Sequence, residues 1–131
     1  VVTAVMCVSV LALLVFGLGL FVSMQRFRSK AIAGSDLGPT SPLQKAIRAH
    51  GNTIEYAPML AILFLYLGQA MPSATWVSVL IVAATLSRVS IAMGLLLCRS
   101  LENAHPLRFL GGLGTYITGV LLAGVAILTV V

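Results

Sequence analysis

VVTAVMCVSVLALLVFGLGLFVSM, residues 1–24, holds no charged residue. A bilayer-spanning helix needs about 20 mainly apolar residues, and this run supplies them. No basic region precedes it and it has no A-x-A-like cleavage site. It is also longer than a signal-peptide core, so it reads as a retained helix. Arg26 and Arg28 close it, which gives a first span over about residues 1–26.

The rest of the chain follows the same pattern. Of its 131 residues 60% are hydrophobic and 8% are charged. A soluble domain carries about 25% charged residues. So few charges would not keep a globule of this size in water, and the expected solvent is a lipid bilayer. After the polar linker AIAGSDLGPTS, with Gly34, Gly38 and Pro39 as breakers, Ser41 has the character of an N-cap. Pro42 then stands at the first helical position and Gln44 three residues after the serine, a capping-box pattern. A second helix is expected over 42–71, broken at Pro72-Ser73. A third is expected over 74–98, with Trp76 as an interfacial anchor. A fourth is expected over 107–131, entered at Pro106 after the connection RSLENAHP. The fold class is therefore all-α: one integral membrane four-helix bundle covering residues 1–131.

The net charge of +5 does not point to nucleic acid. Its basic residues cluster beside long apolar segments instead of forming a reading face. The connections after the first and third helices carry every basic residue outside a span, and the connection between the second and third carries none. The positive-inside rule puts the basic connections in the cytoplasm. Both termini then face the opposite side, which is periplasmic for a bacterial inner membrane. Cys7 and Cys98 are expected near opposite membrane faces, unpaired, and no Cys/His cluster has metal-ligand spacing. Gly111, Gly112, Gly114, Gly119 and Gly124 follow no strand, so they read as close-packing positions and not as a phosphate loop.

Two ionisable residues lie at membrane depth, where charge is costly and marks function or a partner. Glu55 precedes Pro72 by 17 residues and Arg88 follows it by 16. At 1.5 Å per residue both sit about 25 Å from the turn, level on neighbouring antiparallel helices. An ion pair or a shared polar site is expected, with bundle stapling as the bland alternative. Arg48, Asn52 and Glu55 share one helical face, Tyr56 borders it and His50 lies off it. The stripe begins at the basic surface and runs inward.

The run Arg48-Ala49-His50-Gly51-Asn52-Thr53-Ile54-Glu55-Tyr56-Ala57-Pro58 resembles the signature of the membrane-associated proteins in eicosanoid and glutathione metabolism, the MAPEG family. Four spans in about this length and an arginine in the cytoplasmic half of the third helix extend the resemblance over nearly the whole chain. It is most similar to the small bacterial members. The resemblance implies a homotrimer that binds glutathione between subunits near the cytoplasmic side. It also implies glutathione contacts from Arg48, Asn52, Glu55, Tyr56 and Arg88, and His50 belongs to the same candidate set. Members of the family often carry polar residues where this chain has Ile91 and Leu95.

Glutathione has two carboxylates, which arginines fork onto, and an ammonium that Glu55 can accept. Positive charge lowers a thiol's pKa, and Arg108, Arg26 and Arg28 are the candidates to stabilise its thiolate. Headgroup binding is the alternative for each of the three. The implied activity is a membrane glutathione transferase or peroxidase acting on a lipophilic electrophile that enters from the bilayer, with no metal. Two other readings are a non-catalytic binding or scaffold protein with the same bundle, and a small four-helix transporter. The first helix of this chain lacks the glutamate that such transporters use.

Overall fold

A computed structural model of the chain describes residues 1–30 and 38–131. Four α-helices follow one another: α1 (Val2–Ser29), α2 (Pro42–Ala70), α3 (Thr75–Leu97) and α4 (Pro106–Leu128). All four are long and apolar enough to cross a membrane. Large apolar side chains such as Leu13, Phe16, Met59, Ile62, Leu86 and Val120 stand exposed around the outside. In water such a surface would drive association, and in a bilayer it meets acyl chains of its own polarity.

The helix ends follow their capping chemistry. α1 continues a turn past the uncharged run, because Arg26 and Arg28 in its last turn suit the negative end of the helix dipole. Lys30 stops it with φ 54°, in the left-handed region. α2 starts at Ser41, whose hydroxyl accepts the Gln44 N–H at 3.4 Å, with Pro42 following. α4 begins with Pro106 at its first position and stops at Leu128, before the last three residues. The linker glycine Gly34 lies outside the described residues.

Successive helices run antiparallel. At one end, here the basic end, the two basic connections meet: the Leu101 N–H donates to the Pro39 carbonyl at 2.9 Å, and Lys45 Nζ donates to the Arg99 carbonyl at 3.2 Å. At the other end the Tyr66 and Thr129 hydroxyls share a hydrogen bond of 2.6 Å, and Val1 lies beside Gly68. Both termini therefore sit at this terminal end. Trp76, at the start of α3, is exposed there.

α1 packs on α2 and α3, and α3 packs on α4; α4 touches α2 lightly and, among the described residues, does not touch α1. Without a hydrophobic force between helices in lipid, close backbone approach supplies the packing energy. Gly111 faces the Ile91 nitrogen and the Ser87 carbonyl so closely that a Cβ would stand 2.6 and 2.7 Å from them, and Gly114 is just as tight against the Ser87 hydroxyl. Gly94 admits the α4 backbone at Arg108 in the same way. Gly119 and Gly124, expected to pack likewise, have nothing within 4 Å of an added Cβ. Leu11, Phe64, Leu67, Val77, Ile81 and Leu122 form the main core, toward the terminal end. A smaller core of Leu18, Ala49, Ala92 and Leu95 closes α1, α2 and α3 toward the basic end. Cys7 and Cys98 are buried and unpaired.

Candidate functional site

Arg88 is 1% exposed, the largest fully buried side chain in the molecule. It does not pair with Glu55. Its Nη2 donates to both the backbone carbonyl and the Oδ1 of Asn52, each at 2.7 Å. Its guanidinium carbon lies 4.8 Å from the centre of the Tyr56 ring, a cation–π contact. Its Nε is buried without a partner. A buried cation without a counter-charge is costly, and here the carboxamide, the peptide carbonyl and the ring face share the compensation.

The expected Glu55–Arg88 ion pair therefore does not form within one chain, and the reason is azimuth. A helix turns about 100° per residue. Asn52 and Tyr56 lie about 40° apart on α2 and both turn to Arg88. Glu55 lies about 60° from Asn52 on the other side and is exposed. Position along a helix axis fixes the height of a side chain and not the direction in which it turns. His50 points elsewhere again. Its ring packs on α1, with Nε2 3.2 Å from where a Gly19 Cβ would stand.

Asn52 also lines a cleft of about 550 Å³ at the basic end, between α2, α3, α4 and the connection before α4. This size suits a small-molecule site. Arg48 and Arg108 bring two guanidinium groups to it, and His105 and Glu102 come from the connection. The α3 wall is apolar, made by Ile91 and Leu95, and Phe109 and Leu113 of α4 continue it. Arg108 Nη1 donates to the Leu101 carbonyl at 2.9 Å and the Asn103 carbonyl at 3.2 Å, which ties the connection to the helix. The imidazole Nδ1 of His105 is buried without a partner.

Tyr116, which the sequence reading did not single out, completes the cleft from α4. Its hydroxyl accepts a 3.4 Å hydrogen bond from Tyr56, and the two rings meet edge-to-face at 6.0 Å and 61°. Asn52, Arg88, Tyr56 and Tyr116 thus form a connected polar line whose two ends face the cleft and which passes through the buried Arg88. A tyrosine in an apolar helix ordinarily reads as a membrane-interface anchor. Only its position opposite Tyr56 distinguishes it.

The structure thus gathers Arg48, Asn52 and Arg108 at one cleft, with Arg88 and Tyr56 directly behind Asn52. Glu55 faces outward, His50 faces α1, and Arg26 and Arg28 end α1, which lines no part of the cleft. Arg26 is half-buried, with its Nη1 enclosed and unpartnered. Among the described residues no cluster of three or more His, Cys, Asp or Glu could hold a metal ion. The arrangement can grip an anion with two separated guanidinium groups and one carboxamide, beside an apolar wall.

In comparison with known proteins, the model of the MAPEG family matches residues 4–128. No curated protein and no solved structure matches the chain.

Proposed function

Since the chain belongs to the MAPEG family, matched over nearly its whole length, we propose that it is a membrane-bound glutathione transferase. Glutathione occupies the basic-end cleft and its thiolate attacks a lipophilic electrophile. One observation carries the reading: the cleft holds Arg48, Asn52 and Arg108 together, from two helices far apart in sequence, beside an apolar wall. The Arg48 guanidinium suits a carboxylate of glutathione, by a forked pair of hydrogen bonds. Oδ1 of Asn52 accepts from Arg88, so its amide nitrogen is turned to donate. Arg108, near the positive end of the α4 dipole, favours the thiolate. That thiolate displaces halide from an aryl halide, a C–S bond forming and the carbon–halogen bond breaking, or, with a second glutathione, it reduces a lipid hydroperoxide to the alcohol and water and leaves as glutathione disulfide. The Ile91–Leu95–Phe109 wall suits an apolar second substrate that arrives from the bilayer.

A second part of the proposal is assembly as a homotrimer. Glu55 is exposed at membrane depth, where a lone carboxylate facing acyl chains is costly. A neighbouring copy covering that face of α2 removes the penalty and brings Glu55, and the end of α1, toward a shared site. The basic end faces the cytoplasm and the termini the periplasm, in keeping with the positive-inside rule.

Titration calorimetry in detergent is expected to show glutathione binding in the micromolar to millimolar range. Arg48→Ala and Asn52→Ala should each weaken it by about tenfold or more, the loss of a charge-assisted or buried hydrogen bond. No heat up to millimolar glutathione ends the reading. The apolar character of the α3 wall favours one alternative, a non-catalytic binding protein. Glutathione binding without turnover of aryl halides or lipid hydroperoxides selects it. Native mass spectrometry showing only monomer in mild detergent removes the trimer.

A further inference from the structure

α1 is longer than its apolar run requires. The uncharged stretch ends at Met24, but the helix goes on to Ser29 and carries Arg26, Phe27 and Arg28 with it. At 1.5 Å per residue Arg28 stands about 6 Å beyond Met24. The headgroup layer on each side of the hydrocarbon is about 5–7 Å deep. With the uncharged run in the hydrocarbon, the last turn of α1 therefore lies among lipid phosphates. Lys30 follows at the left-handed turn that ends the helix.

The two arginines of this turn face different surroundings. Two residues apart on a helix, they point about 160° away from each other. Arg26 is half-buried and turns to the bundle, with its Nη1 enclosed. Arg28 and Lys30 are exposed, and Phe27 is 89% exposed. None of the four lines the cleft. The negative end of the α1 dipole accounts for a cation here, but not for a bare ring between two of them. Water solvates that ring poorly, whereas the upper acyl chain of a lipid whose phosphate rests on Arg28 covers it.

Charge selects the kind of lipid. Arg26, Arg28, Lys30, Lys45, Arg48, Arg99 and Arg108 all stand at the basic end, and among the described residues Glu102 is the only acidic side chain there. A zwitterionic headgroup brings a further cation into this surplus. A net-anionic one brings only its phosphate and offsets part of it.

We infer that Arg28, Lys30 and Phe27 form a site for an anionic phospholipid in the leaflet at the basic end. Arg28 forks onto the phosphodiester, Lys30 adds a second charge beside it, and Phe27 lies against the top of the acyl chains. Binding breaks no bond. The inference is independent of the glutathione reading, because it uses no residue of the cleft. It also leaves Arg26, on the opposite side of the helix, to a site shared between copies.

Brominated lipids quench tryptophan on contact, so Phe27→Trp combined with Trp76→Phe makes position 27 report which lipid lies there. The full chain is reconstituted in phosphatidylcholine bilayers with increasing phosphatidylglycerol, one or the other lipid brominated. Phosphatidylglycerol is expected to be preferred at position 27 by about tenfold or more, each surface cation contributing about fivefold. Adding Arg28→Gln and Lys30→Gln should bring the preference below about twofold. The native Trp76 is the control: it lies at the terminal end, away from the basic residues, and should show no preference. Raising the salt to about 1 M, where the Debye length is about 3 Å, should also remove most of the preference. That check does not depend on the double glutamine variant folding. Equal quenching by the two lipids at position 27 overturns the inference. So does a preference that survives Arg28→Gln with Lys30→Gln, which would assign it to the charge of the whole end, and so does an equal preference at Trp76. Loss of the preference on adding excess glycerol phosphate would make this a site for free phosphate and overturn its assignment to a lipid.

Discussion

The two ends of the bundle are built on opposite principles. Toward the terminal end all four helices converge on an apolar core, and Leu122 of α4 is as buried there as Phe64 of α2 or Ile81 of α3. Toward the basic end the small core joins only α1, α2 and α3, while α4 packs on α3 and leaves a cleft lined by charge between itself and α2. The difference teaches where stability and chemistry are kept. The dry end holds the bundle closed, so the wet end can hold an unneutralised guanidinium, an idle carboxylate and open space without unfolding.

The contrast can be broken from its dry side first. Phe64→Ala removes a fully buried ring from the terminal core. It is expected to destabilise the bundle by about 3 kcal/mol, the lower end for such a truncation because lipid tails solvate apolar groups well. The fall in unfolding midpoint in graded denaturing detergent measures it, and a loss under 1 kcal/mol would show that the core is not where the bundle is held. Gly111→Val comes next. Its side chain would meet α3 backbone, forcing the helices apart at a cost of about 1–3 kcal/mol and displacing Arg108 from the cleft. A loss of both stability and glutathione binding is expected. Gly119→Ala is the control, within about 0.5 kcal/mol of wild type because nothing lies near the added methyl.

Smaller effects sharpen the comparison by separating the two ends. Tyr66→Phe deletes the 2.6 Å bond to Thr129. It should cost about 1 kcal/mol of stability and leave glutathione affinity as it was. Tyr116→Phe removes the acceptor of a long, 3.4 Å bond at the cleft. The expected loss is about 0.5 kcal/mol or less in stability, with any larger change confined to binding or turnover. If Tyr116→Phe lowered the melting temperature more than Tyr66→Phe, the assignment of the polar line to function and of the terminal end to stability would be reversed.

The helices were legible because their signals are local. Uncharged length, the Ser41-Pro42-Gln44 cap and the Pro72 break each act within a few residues, and the bilayer removes the alternatives to a helix. Arg88 was legible as important because a cation in an apolar run has few bland explanations. Its partner was not. Depth follows from counting along the chain, but azimuth follows from how neighbouring helices rotate to pack, and a rotation of about 60° separates Asn52, which meets Arg88, from Glu55, which does not. Packing also chose among the five α4 glycines. Gly111 and Gly114 meet α3 closely, while Gly119 and Gly124 face open space, and nothing in their spacing told them apart. Glu102 and Tyr116 escaped notice for a similar reason. One lies in a short polar connection and one in an apolar helix, both ordinary places for their residue types. Only the approach of α4 to α2 and α3 gives them a cavity to line.

That α4, among the described residues, does not pack on α1 also bears on the order in which the molecule comes into being. Each helix packs on the one before it, so a nascent chain can dock its segments as they emerge, and the last of them adds Leu122, with Val125 and Ala126 beside it, to the terminal core. The cleft has no such head start. Arg108, its hydrogen bonds to the α3–α4 connection and Tyr116 all arrive with the final helix, so a chain whose first three helices have docked in the membrane still has nowhere to put a ligand.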